Sequence, residues 1–199
     1  MPDLLRRWRN LFPEADTTFA ELVTRYREPA RHYHTLDHVR AVLDRIDALW
    51  PDAPQALPLA AWLHDIIYDP RAADNEERSA DYARALLPTL GVSATTTDET
   101  ARLILLTRSH EADADDRAGR TLLAADLAIL AADAPTYDAY ADAIRREYAW
   151  VPEPDYRAGR CRILERFLVR PRIFFTTEMA EAERMARDNL AREIAWLRS

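Results

Sequence analysis

The sequence predicts an all-α protein built as a single domain. Three observations carry that expectation. Alanine, leucine, arginine and glutamate, all good helix formers, dominate the composition. Apolar residues recur at helical spacing, as at Val39, Val42, Leu43, Ile46 and Leu49. Prolines fall mostly between the segments that show this spacing. With 199 residues the chain is long enough to bury a core.

The predicted elements follow from those signals. Helices over 3–12 and 17–28 stop at Pro13 and Pro29. A third, 35–49, opens on Thr35 as cap and ends at Pro51. The fourth, 57–68, runs up to Pro70, and the fifth, 75–87, up to Pro88. Thr96 with Glu99 resembles a capping box for the sixth, 97–108. The acidic stretch SHEADADDRAG, 109–119, reads as a loop. Helices 119–132, 135–149, 155–170 and 177–198 complete the chain. The segment Ile173, Phe174, Phe175 could form a short strand, but it has no obvious partner. The whole chain reads as one unit, with a core over about 17–132 and helices 135–198 packed on it.

Composition excludes several kinds of chemistry. Cys161 is the single cysteine, so neither an internal disulfide nor a thiolate zinc cluster can form. There is no lysine, which removes Schiff-base chemistry and the P-loop lysine. With only Gly91, Gly119 and Gly159, no glycine-rich phosphate cradle or dinucleotide fingerprint is present. A net charge of −7 argues against non-specific nucleic-acid binding. No apolar run is long enough for a membrane span, and the first residues lack a secretory apolar core. The expected location is cytoplasmic.

The histidines are the informative residues. All five precede residue 111, at His32, His34, His38, His64 and His110. His38 falls in the first turn of a predicted helix. His64 is followed at once by Asp65, among Trp62, Leu63, Ile66 and Ile67. Asp126 lies among Leu122, Leu123, Leu127, Ile129 and Leu130, where a carboxylate needs a cation or donors nearby. Adjacent helical residues point about 100° apart, yet His64 and Asp65 can straddle an ion at a helix edge. His38 and Asp126 would complete a His-His-Asp-Asp set. Imidazoles with carboxylates suit Mn, Fe, Zn, Co or Mg without choosing among them.

A lone His, then His-Asp, then a distant Asp resembles the signature of the HD superfamily of metal-dependent phosphohydrolases. The flanking pieces HYHTLDHV, HDIIYDP, DNEERSA and LLAADLAIL, with YRAGRCRIL and ARDNLAREI later, look like a bacterial subgroup of predicted HD-type phosphohydrolases. The resemblance covers the chain from about residue 17 onward. It implies a helical bundle whose metal, held by His38, His64, Asp65 and Asp126, activates a water against phosphorus. A nearby base or acid is then needed.

Other residues are candidates around that centre. Asp69 lies four after Asp65, on the same face if the helix persists, and would assist the water. The alarmone hydrolases of the superfamily carry a carboxylate pair there, of which Tyr68 replaces the first. His110 is a candidate second-metal ligand or substrate contact, and His34 a candidate for the same pocket. Arg31, Arg145 and Arg160 are candidates for substrate phosphate, with Tyr148 beside them. Asn75 and Glu76 are candidates for the pocket rim, against a plain reading as helix-start residues. His32 reads as packing or surface.

The expected activity is hydrolysis of a phosphate ester or anhydride in a small molecule of the nucleotide kind. Two rivals stay open: a non-catalytic nucleotide sensor, and a di-iron oxygenase of the same superfamily. A homo-oligomer also stays open. Trp8, Trp150 and Trp196 hint at partner surfaces.

Overall fold

In the computed structural model, which describes residues 2–176 and 179–199, ten α-helices carry the regular structure and no described residue is in a strand. The all-α expectation holds. The chain forms two compact units, Met1–His110 and Glu111–Ser199.

The first unit is built around α4. Helices α1 (Pro2–Leu11) and α2 (Asp16–Arg25) pack on each other, and α3 (Leu36–Leu49) packs on α4 (Ala56–Leu63). Helices α5 (Asn75–Leu86) and α6 (Ala94–Leu106) then pack on α4 and on one another. The segment ALPLAAWL leaves α4 apolar all round, as suits a helix enclosed by neighbours. Trp62 at its end meets Trp8 at 5.4 Å and Phe19 at 6.1 Å between ring centroids, both edge-on. Trp8 is thus fully buried and forms core, not a partner surface.

Caps set where the flanking helices begin. Thr35, with extended backbone, accepts from the Asp37 amide at 3.3 Å and opens α3 as expected. From there Leu36, His38, Val39, Val42, Leu43 and Ile46 form one buried stripe, so His38 is the polar end of a core face. The sixth helix begins earlier than predicted. Ser93, not Thr96, is its cap, accepting from the Thr96 amide at 3.1 Å. Between α5 and α6, a 3-10 turn over Leu87–Leu90 closes on Gly91 at φ 78°, a conformation that costs glycine little.

In the second unit, α7 (Arg117–Asp126) runs into a 3-10 helix (Leu127–Ala131), so the predicted helix 119–132 breaks at Asp126. Helices α8 (Ala134–Glu147), α9 (Glu153–Leu168) and α10 (Ala180–Arg198) follow. Helix α10 packs on α9 and on the 3-10 helix. The Asn189 amide donates to the carbonyls of Leu130 (3.0 Å) and Ala132 (2.8 Å) at the end of that 3-10 helix. Positions 177 and 178 of the last predicted helix lie outside the described residues.

No strand forms at 173–175. The Ile173 and Phe174 amides instead donate to the Glu183 carboxylate at 2.9 and 3.0 Å, so the backbone is satisfied without a ladder. None of the described helices is long and apolar enough to cross a membrane.

Candidate metal centre

Helix α4 stops at Leu63, five residues short of the predicted end, and the ligand-bearing residues follow in a tight turn. Its last four carbonyls all find partners. The His64 amide donates to Ala60 at 2.8 Å and the Ile66 amide to Leu63 at 3.2 Å. The Tyr26 hydroxyl donates to Trp62 at 2.7 Å. The His64 Nδ1 lies 3.1 Å from the Ala61 carbonyl. A helix end so satisfied has no need to continue.

The turn beyond is pinned by three side chains, Arg31 ahead of α3 and Ser79 and Asn75 on α5. Arg31 donates to the carbonyls of Asp65 (2.6 Å) and Ile66 (3.0 Å). The buried Ser79 hydroxyl accepts from the Ile67 amide at 3.1 Å and donates to its carbonyl at 3.2 Å. Asn75 accepts from the Asp69 amide at 3.0 Å and donates to its carbonyl at 2.9 Å. These backbone groups thereby find partners outside a helix.

Three donor atoms converge on this frame. His64 Nε2 lies 3.0 Å from Asp65 Oδ2 and 3.1 Å from His38 Nε2, and His38 Nε2 lies 3.5 Å from the same oxygen. An ion bonded at about 2.0–2.2 Å to each of two neighbouring ligands, at an angle of about 90–109°, separates them by about 2.8–3.6 Å. The three atoms therefore could hold one metal ion. With His64 Nδ1–H donating to Ala61, its Nε2 carries the lone pair, the arrangement metal-binding histidines use. Both histidines are buried and Asp65 is partly so. Burial pushes the Asp65 carboxyl up, but His64, His34 and His38 outweigh it and hold the group well below the usual carboxylate range.

No family model, curated protein or solved structure matches this chain.

The other predicted residues of the first unit fall in graded positions. His34 stacks on Tyr68 at 4.2 Å, meets the His38 ring at 6.0 Å edge-on, and its charge is felt by Asp65. His32 is exposed. Asp69 does not share a helical face with Asp65, because α4 has already ended. It is exposed, and its Oδ1 accepts from the Arg71 amide at 2.9 Å. Asn75 is the clamp on that same residue. Glu76 is a first-turn acid of α5. His110 ends the turn after α6, at φ 52°, with its amide donating to Leu106 at 2.9 Å. Arg31, nominated for phosphate, is buried against the turn.

In the second unit Asp126 is the last residue of α7 and is partly exposed, while Leu122, Leu123, Leu127 and Leu130 around it are buried. Arg145 is committed locally. It pairs with Glu153 at 2.9 Å, donates to the Tyr148 and Val151 carbonyls, and lies over the Tyr156 ring at 4.5 Å. Tyr148 ends α8 and stacks on Trp150 at 6.5 Å. Arg160 does point inward, but into a buried pair. It donates to both Glu193 oxygens, at 2.8 and 3.1 Å, and to Tyr140 at 3.2 Å. Tyr137 adds a 2.5 Å bond to the same carboxylate.

What sequence reasoning missed is Tyr26 and Ser79, and the framing role of Arg31 and Asn75, which it nominated for phosphate and for the pocket rim. The one sequence signal of that frame was the run DNEERSA, which contains both Asn75 and Ser79.

Proposed function

We propose that the chain is a metal-dependent phosphohydrolase acting on a small phosphorylated molecule of the nucleotide class. The observation that carries this reading is the meeting of His38 Nε2, His64 Nε2 and Asp65 Oδ2 within 3.5 Å. Supporting it is the order of the residues in sequence: a lone His, His-Asp, then a distant Asp.

In this reading a divalent ion of the Mn, Fe, Zn, Co or Mg class, when bound, lowers the pKa of a water and neutralises phosphoryl oxygens. His38, His64 and Asp65 hold it. The sequence alone nominates Asp126 as a further ligand. His34 is a substrate or second-metal candidate beside these ligands, since its ring adjoins those of His38 and Tyr68. Asp69 is a turn residue, because its carboxylate is engaged with the Arg71 amide. Arg145 and Arg160 serve Glu153 and Glu193 and are not substrate clamps.

The test is phosphate release from a panel of nucleotides and alarmone-like compounds with Mn, Mg, Zn, Co or no metal. Asp65→Ala and Asp126→Ala run beside the wild type. Metal-dependent turnover lost in Asp65→Ala supports the hydrolase; loss in Asp126→Ala as well supports the fourth ligand. Metal and nucleotide binding without turnover favours a sensor instead.

A further inference from the structure

A guanidinium out of water needs partners for its charge and its five N–H groups. The Arg31 side chain has no solvent exposure, yet among the described residues its one carboxylate partner is Glu28 at 3.2 Å, which is itself 44% exposed. Its other bonds go to main-chain carbonyls: His34 at 3.2 Å, Asp65 at 2.6 Å and Ile66 at 3.0 Å. The rings of Tyr26 and Tyr68 flank it at 5.1 and 5.5 Å and fix its plane. Helix capping does not explain this, because the last four carbonyls of α4 are already taken by His64, Ile66 and Tyr26. The carbonyls Arg31 holds belong to the segments that carry the metal-site residues: His34 ahead of α3, and the turn at 65–66.

We propose that Arg31 is a positioning residue for the metal centre. It ties the chain entering α3, which carries His38, to the turn that carries Asp65, so that the two donors meet at one ion. This rests on the metal reading above. A lysine cannot replace the planar fork, since a point charge reaches fewer carbonyls at once.

The probe is Co(II) alone, followed by its visible absorption band and by titration calorimetry. The wild type is expected to bind one Co(II) per chain. Arg31→Lys is expected to keep its helical circular dichroism, raise the Co(II) Kd about tenfold or more, and alter the band. Arg157→Lys is the control: it removes comparable carbonyl contacts, to Trp196 and Leu197, and should leave Kd unchanged. A folded Arg31→Lys with wild-type Kd and spectrum overturns the proposal and leaves the metal reading standing. A wild type that binds no Co(II) overturns both. Should Arg31→Lys not fold, Tyr68→Leu strips one flanking ring. It is then expected to raise Kd about two- to fivefold, and an unchanged Kd overturns the proposal.

Discussion

The Nε2 atoms of His38 and His64 face each other at 3.1 Å, one from the start of α3 and one from the residue that ends α4. Two imidazole nitrogens this close can share one proton or one cation. Asp65 Oδ2 beside both adds a negative charge that stabilises either, and makes three donors that could hold a metal ion. Alanine at His38 or His64 should therefore raise the Kd for Zn or Mn by about 100-fold or more, since each removes a direct ligand. Calorimetry on metal-stripped protein measures this. A Kd within a few-fold of wild type would remove the site.

A bound ion should also stabilise the fold. At a free concentration about 100 times Kd, linkage gives about 2.7 kcal/mol. The urea midpoint of the wild type should rise with metal and fall with chelator, while that of Asp65→Ala should ignore both.

Asp69 tests the turn reading. Asn at this position keeps an oxygen for the Arg71 amide, so Asp69→Asn should retain most metal-dependent turnover. Loss of about 100-fold or more in kcat, with metal affinity intact, would return Asp69 to the role of general base.

Ser79 satisfies both backbone groups of Ile67 with one hydroxyl. Ser79→Ala leaves them without that partner and should cost about 1–3 kcal/mol in urea unfolding. It should also weaken metal binding, because the turn that carries Asp65 loses its middle anchor.

The second unit has its own polar centre. Removing one member of the Arg160–Glu193 pair, as in Glu193→Leu, should destabilise by about 3–5 kcal/mol, whereas Arg160→Met with Glu193→Leu together should cost less than either alone. Beside them, burial pushes the Tyr156 hydroxyl up from 10.0 to about 12. The unfolded phenol ionises first, so this contribution is intact below pH 10 and is lost as pH rises toward 12. Urea midpoints from pH 8 to 12 should fall more steeply in the wild type than in Tyr156→Phe.

Much of this was legible in advance for a physical reason. Helix positions follow from periodicity and proline placement, and Thr35 as a cap follows from its side-chain oxygen. His38, His64 and Asp65 stood out because polar groups amid apolar residues need partners. What misled was the same local logic carried too far. Propensity extends α4 through Tyr68, and a continuous helix would align Asp69 with Asp65. The helix ends instead because Tyr26 and the His64 ring take carbonyls that continuation would have used. Arg31 and Arg160 both read as phosphate binders, because an arginine's sequence does not say whether its fork will meet a ligand, a carboxylate or a carbonyl.

By itself, then, the sequence determined the all-α class, the order of the helices and the identity of the three converging donors. These depend on composition and spacing, which are local. The tertiary structure alone decided that the donors come within 3.5 Å of one another. It also decided that the turn bearing Asp65 is clamped by Arg31, Ser79 and Asn75, and that Trp8 is core. Those outcomes depend on which buried groups, far apart in the chain, find each other when water is excluded.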